Sequence, residues 1–207
     1  MDKYMDLNLD GNFIEQLSVC KDSHTVYAAG NQKILFDDKK DMFVYIIQSG
    51  TVNVRRKHDD IIVLTVKGPS VLGLTSLFSG IYYHYLSTVT ECQIIALNRK
   101  SLLNHIEQSN LWRETSKVLC QAAQFYYRRD EAVSGSTVYE VIKSHLEILW
   151  YYPPEDRQKI SVFDFVMGRS SISRSSLNKV LKDLSVGGYI IMQRGKLVEM
   201  KKLPQHY

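Results

Sequence analysis

The chain has 207 residues, of which 44% are hydrophobic and 23% charged, with a formal net charge of +4. That length supports one or two domains with their own cores, and that composition excludes wholesale disorder. No run approaches the ~18 consecutive apolar residues of a spanning helix, so no membrane partner is expected.

The start, Met1 to Asp6, is polar and lacks the apolar core of a secretory signal. Three scattered cysteines, Cys20, Cys92 and Cys120, do not make a disulfide framework and predict a reducing compartment, the cytoplasm. Phe13, Ile14 and Leu17 stand at helical spacing within 7–20 and predict a short helix. From His24 to Leu97 the texture changes to short β-branched and aromatic runs: His24–Ala28, Ile34–Phe36, Met42–Gln48, Thr51–Arg56, Ile61–Val66, Tyr82–Val89 and Gln93–Leu97. Turn signals such as Gly30-Asn31, Ser49-Gly50 and Gly68-Pro69 separate them. So many short strands in so short a stretch predict a jelly-roll barrel, with a hairpin at Gly50.

After Arg99 the period becomes helical. Ser101 to Glu107 predicts a short helix. Leu111, Thr115, Val118, Ala122 and Phe125 then form a narrow stripe on one long helix, about Asn110 to Glu131. A narrow stripe beside small Ala122 and Ala123 suits a seam with a second copy; the alternative is that it covers its own barrel. Ser134-Gly135-Ser136 is a break. Thr137 and Glu140 then match a capping box, followed by a helix with Val138, Val141, Ile142, His145 and Leu149 facing inward, the histidine as a satisfied core residue. Pro153-Pro154 ends it.

The charge is not evenly spread. Residues 1–135 hold 15 basic and 15 acidic side chains; residues 136–207 hold 11 and 7, so the whole excess lies in the last third. That asymmetry fits a neutral module joined to one for nucleic acid or another anionic surface. In the basic third, Ile160 to Met167 reads as a short helix capped by Ser161, and Gly168 to Ile172 as a turn. Ser173 caps a second helix, Arg174 to Val186, with Leu177, Val180, Leu181 and Leu184 inward and Gly187-Gly188 as its stop. Tyr189–Gln193 and Lys196–Met200 flank the turn Arg194-Gly195. The order is helix, turn, helix, β-wing.

A helix fits the major groove of DNA. Arg174, Ser175, Asn178 and Lys179 share the exposed face near the start of the second helix. Arginine donates twice to a guanine edge, and asparagine pairs bidentately with adenine. Ser170, Ser171 and Ser173 at the helix start suit a phosphate. Arg194 and Lys196 on the wing, and Lys182, add backbone attraction. Double-stranded DNA is the expected partner; the alternative for such a module is a protein-interaction adaptor.

Jelly roll, long helix and winged helix-turn-helix, in that order, resemble the CRP/FNR family of bacterial transcription regulators, and within it the enterobacterial IprA-like group. The resemblance covers residues 20–200. It is sharpest at Ser173–Leu184, similar to the family's recognition helix, at Phe43–Val52, similar to its barrel hairpin, and at Val71–Phe78, similar to the start of its phosphate-binding cassette. It implies an α+β chain with a jelly-roll domain at 1–98, a dimerisation helix and connector at 99–133 and a winged domain at 136–207. It also implies a homodimer on a two-fold DNA site, and RNA polymerase as a further partner.

The departures are informative. Cyclic-nucleotide binders of the family carry Gly-Glu at the cassette start and Arg-Ser near its end. Here Gly73 is kept, Leu74 replaces the Glu, and Tyr85 and Leu86 align with Arg-Ser. A buried phosphate without a cation is very costly, so cAMP independence is expected. In the recognition helix Ser175 stands where CRP has Glu, and Lys179 where it has a second Arg; a different DNA sequence is therefore expected.

Three dispersed cysteines do not supply the thiolates of an iron–sulfur cluster. His84 is the only haem-ligand candidate near the cassette. No cofactor or metal is therefore expected. The remaining sensing options are a redox thiol, with Cys20 or Cys120 favoured, an unknown ligand in the barrel, and constitutive binding with Tyr82–Tyr85 filling the vacated pocket. No His-x-His pair, Gly-x-Ser-x-Gly elbow or Gly-rich phosphate loop occurs, so an enzyme is not expected.

Overall fold

The computed structural model describes residues 11–38, 41–133 and 137–205, with side chains from 129 to 133 left aside. The predicted break at Ser134-Gly135-Ser136 lies outside these residues. The chain divides into two compact units, one reaching Tyr127 and the other starting at Arg128.

The first unit begins with α1 (Gly11–Ser18), which buries Phe13 and Leu17. Nine strands follow: β1 (Ser23–Ala28), β2 (Lys33–Ile34), β3 (Asp37–Asp38), β4 (Asp41–Ser49), β5 (Thr51–Arg56), β6 (Ile62–Lys67), β7 (Ser70–Leu72), β8 (His84–Thr88) and β9 (Cys92–Asn98). They form two antiparallel sheets. One has the order β1-β9-β4-β3 with β7 also on β4; the other has the order β2-β8-β5-β6.

β4 shows why the fold is specified. Four successive residues, Val44 to Ile47, are buried, because both faces of its sheet are covered. Val44 and Ile46 pack with Phe13, Leu17, Leu102 and Ile106 of the helices. Tyr45 and Ile47 face the barrel interior with Val52, Leu86 and Ile94. A strand buried on both faces reads as a continuous apolar run rather than an alternation. Inside, the Tyr45 hydroxyl donates to the Leu35 carbonyl at 2.6 Å, and burial pushes its pKa up to about 12.

The hairpin expected at Gly50 is not there. β4 and β5 lie in different sheets, and Gly50 is where the chain crosses between them. Its φ is 92°, and a Cβ would lie 2.3 Å from the Glu91 carbonyl oxygen, so only glycine lets the crossing pass so close to β9. The true hairpin is β5–β6, whose register runs from Thr51 opposite Lys67 to Arg55 opposite Ile62.

α2 (Arg99–Gln108) is capped by Asn98, whose side chain accepts from the N–H groups of Lys100 and Ser101. α3 (Trp112–Val133) is the long helix.

In the second unit α4 (Val138–Trp150) has the predicted capping box between Thr137 and Glu140. Its buried face is Tyr139, Ile142, Leu146 and Leu149. The expected face was one position off: Val138 is 47% exposed. Tyr139 is drawn in because its hydroxyl donates to the Pro204 carbonyl at 2.8 Å, where the chain end closes over α4. His145 is half-buried, its ring nitrogen 2.7 Å from the Val141 carbonyl. α5 (Pro154–Arg157) is a single turn, and α6 (Val162–Met167), α7 (Arg174–Val186), β10 (Ile190–Gln193) and β11 (Lys196–Met200) complete the unit.

Candidate nucleic-acid interface and barrel cavity

α7 is set by its own sequence. Ser173 accepts from the N–H of Ser176 at 3.1 Å and opens the helix. At the other end Gly188 takes φ 69°, and the N–H groups of Gly188 and Tyr189 bond back to Ser185 and Leu184. This paired closure is the Schellman stop that glycine favours. Leu177, Val180, Leu181 and Leu184 bury one face. Arg174, Ser175, Asn178, Lys179 and Lys182 therefore share the opposite, exposed face. The first turn of α7 carries no acid, so an approaching phosphate meets the positive end of the helix without repulsion from that turn.

The predicted residues do not all behave alike. Arg174 lies over the Phe163 ring of α6, 5.1 Å from its centroid, which steers the guanidinium without neutralising it. Sequence reasoning missed Phe163, since nothing in its spacing marks it as a support. Ser171 and Arg194 are exposed. Arg194 and Gly195 take φ 48° and 76°, the two positive values of a tight hairpin turn, which places Arg194 at the wing tip. Ser170 is spent locally: its hydroxyl donates to the Val166 carbonyl at 2.8 Å. Lys196 is held back against the body of the unit, donating to the Lys159 carbonyl at 2.8 Å. The wing turn is tied to α6 as well, through the Val162 N–H and the Gly195 carbonyl.

In the first unit the stripe on α3 turns inward. Leu111, Thr115 and Val118 are at most 5% exposed within a single chain, and Leu111 and Val118 belong to the core shared by the helices and the β4 sheet. These three have no surface left for a partner. Ala122 and Phe125 line a cavity of about 280 Å³ between α3 and the barrel. Leu111, Thr115 and Val118 thus cover their own barrel, the other option the spacing had left open, while Ala122 and Phe125 stay partly exposed. The outward face carries Ser116, Cys120, Ala123 and Tyr127, all exposed.

Gly73 and Leu74 line the same cavity. Gly73 has φ 104° and begins a single 3-10 turn, Leu74–Ser76. Tyr85 and Leu86 do not line it. Tyr85 points to the other side of β8, under the Lys33 ammonium at 4.0 Å, and its hydroxyl is bonded to Asp60. Leu86 is fully buried in the barrel core. Neither Arg nor Lys is among the lining residues. Arg99, near the cassette in sequence, donates from Nη1 to the carbonyls of Leu77 and Phe78, while its Nε is buried without a hydrogen-bond partner.

Cys20 is buried, and that burial, with Asp22 nearby, pushes its thiol pKa up, away from reactivity. Cys92 is buried and Cys120 exposed. Among the described residues no group of three or more His, Cys, Asp or Glu is placed to hold a metal. No described helix is long and apolar enough to cross a membrane.

A jelly-roll barrel leading through a long helix into a winged helix-turn-helix defines a class of DNA-binding transcription regulators. Family models agree: residues 25–109 match a cyclic nucleotide-binding domain and residues 138–205 a winged helix-turn-helix DNA-binding domain. Among solved structures, the c-di-GMP-responsive regulator CLP of Xanthomonas campestris aligns with TM-score 0.76 and 18% identity, over 93% of this chain and 100% of that one. A CRP/FNR-family regulator from Thermus thermophilus aligns with TM-score 0.59 and 20% identity, over 84% and 92%. Among characterised sequences, the "Inhibitor of hydrogen peroxide resistance" of Escherichia coli K12 is 31% identical over 177 residues, 85% of each chain. Its Salmonella typhimurium namesake is 29% identical over 196 residues, 93% of this chain and 94% of that one. The chain belongs to the family of the Inhibitor of hydrogen peroxide resistance proteins and has the fold of the CRP/FNR-family regulators. Family and fold point to a DNA-binding regulator rather than an enzyme.

Proposed function

We propose that this protein is a homodimeric, sequence-specific transcription regulator that binds DNA without cAMP and acts in the response to peroxide. The observation that carries the DNA reading is the exposed face Arg174, Ser175, Asn178, Lys179 and Lys182 on α7, whose first turn holds no acid. Arg174 and Asn178 read bases; Lys182 and Arg194 hold phosphates. Ser171 and the capping Ser173 stand at the phosphate-facing end of the helix. Ser170 and Lys196 support the turn and the wing rather than touching DNA. The cAMP reading rests on a cavity without a lysine or arginine to neutralise a phosphate. The peroxide reading rests on the names of the relatives.

The dimer seam is assigned to the outward face of α3. Ser116, Cys120, Ala123 and Tyr127 follow a 4-3-4 spacing on one side, the period of a two-helix seam. Cys120 would then face its twin, which favours it over Cys20 as the residue answering oxidation. Ala123→Glu is expected to convert dimer to monomer in light scattering; an unchanged dimer would move the seam elsewhere.

The direct test incubates ligand-free protein with sheared genomic DNA, washes at raised salt and sequences what stays bound. A palindrome with half-sites one helical turn apart is expected. Recovery of no specific site would leave the winged unit as a protein-contact module.

A further inference from the structure

The second sheet has an outer face that the barrel core does not use. Val52, Val54 and Leu86 belong to that core, so Asn53, Arg55, Tyr85 and Ser87, which alternate with them, point outward. The strand register sets Lys33, Ser87, Asn53 and Thr65 in one row across β2, β8, β5 and β6. Tyr85 and Arg55 stand opposite each other in the next outward row. Two turns flank these rows. On one side Asp60, at φ 62°, bonds to Arg55 at 3.2 Å and to the Tyr85 hydroxyl. On the other, Asn31 takes φ 66°, and the Thr88 hydroxyl ties the turn by accepting from the Gln32 N–H at 2.8 Å and donating to the Ala29 carbonyl at 2.6 Å. They leave a hollow of about 320 Å³ around Lys33, Asn53, Arg55, Asp60, Tyr85 and Ser87, at the lower end of the ~300–1,000 Å³ of small-ligand sites. Its polar groups are set as donors. The Ser87 hydroxyl oxygen accepts from Arg55 Nε at 3.0 Å, so its hydrogen is left to donate. Asn53 Oδ1 accepts from the Thr65 hydroxyl at 2.7 Å, so its NH2 is left to donate. The Lys33 ammonium rests on the Tyr85 ring, 4.0 Å from its centroid, and a ring does not neutralise it. Arg55 is already paired with Asp60, so Lys33 holds the one positive charge left over among the residues lining the hollow.

We infer that this outer hollow binds a small hydroxylated monocarboxylate, its carboxylate held by Lys33, Ser87 and Asn53 and its hydroxyl groups by the Arg55–Asp60 pair. Three donors in one row, one of them charged, make the strong kind of hydrogen bond to a carboxylate. One negative charge matches the one positive charge left over. A phosphate dianion overshoots it and meets the Asp60 carboxylate nearby, where like charges repel. An apolar ligand is disfavoured because Val89 is the one lining residue without a polar side chain, and covering the others strips their water without replacing it. The hollow lies on the opposite side of β8 from the cavity beside α3 and needs neither DNA nor a second copy, so it stands or falls apart from the function proposed above.

The test is an amide-resolved NMR titration of the full chain at low salt with three matched probes: gluconate, sorbitol and sorbitol 6-phosphate. They share one carbon chain and differ in carrying a carboxylate, no charge or a phosphate. Gluconate is expected to shift the amides of Lys33, Asn53 and Ser87 saturably, with Kd about 1 mM. Sorbitol is expected to bind about tenfold more weakly or worse, and sorbitol 6-phosphate more weakly than gluconate. Lys33→Met keeps the stem and removes the charge at an exposed position; it should weaken gluconate about tenfold. Asn53→Asp sets a second carboxylate in the row and should abolish binding, and it gives an independent reading if the first variant is perturbed elsewhere. Absence of saturable shifts at about 20 mM gluconate, an equal response to sorbitol, tighter binding of the phosphate, or gluconate binding unchanged in the folded variants overturns the inference.

Discussion

On the second sheet of the barrel four cations are occupied: Arg55 bonds to Ser87 and Asp60, Arg56 to Asp59, Lys57 to Asp37, and Lys33 covers the Tyr85 ring. In the winged unit Lys179 and Lys182 stand exposed on α7, and Arg174 rests on a neutral ring. The first unit has a balanced charge and uses its polar groups to stay folded. The second also ties down cations such as Lys143, Arg157 and Lys196, but leaves the positive face of α7 toward solvent, where it gains little for folding but attracts a polyanion. The same contrast holds for the sites. The barrel's cavity carries no lysine or arginine where nucleotide binders of its family keep one, while the reading helix keeps its arginine.

The comparison is sharpest when one unit is damaged alone. Leu146→Ala empties a fully buried position of α4 and should cost ~2–5 kcal/mol. Calorimetry should lower the winged-unit transition and leave the barrel's unchanged; a joint shift would make the two units one cooperative block. Next in size, Arg174→Ala should cost ~1–3 kcal/mol at a cognate site and relax specificity at one base pair. Competition binding checks this, and an equal loss on every sequence would turn Arg174 into a phosphate contact. Ser173→Ala removes the cap of α7 and should cost about 1 kcal/mol of winged-unit stability; hydrogen exchange should place the fraying at Ser175 and Ser176, and uniform exchange would contradict it. The smallest effect is expected for Lys182→Ala, a uniform weakening that lowers the salt slope of DNA binding by about one. An unchanged slope would take Lys182 off the phosphate backbone.

Local chemistry explains what could be read early. The capping box Thr137–Glu140, the cap at Ser173, the glycine stop after Val186 and the Arg194-Gly195 wing turn all depend on neighbours within a few residues, and each stands where the pattern placed it. The exposed set on α7 was legible for the same reason, because the helix has one clear apolar face. Ser170 and Lys196 were less so. Each donates one hydrogen bond locally, to the Val166 and Lys159 carbonyls, and such partners are not visible in spacing. The offset of the α4 face arose similarly, since Pro204, more than fifty residues away, decides that Tyr139 turns inward.

By itself, then, the sequence determined the order of elements, their ends, the concentration of positive charge in the last third and the loss of the cassette's acid and arginine. These follow from residue identity, periodicity and short-range hydrogen bonding. Only the tertiary structure decided that Gly50 carries the chain between sheets, that Leu111, Thr115 and Val118 of the α3 stripe are buried against their own barrel, that Tyr85 points away from the cavity and that Phe163 supports Arg174. A strand side or a helix face can be occupied by any surface of matching shape, and which one wins depends on how distant segments fill the same space.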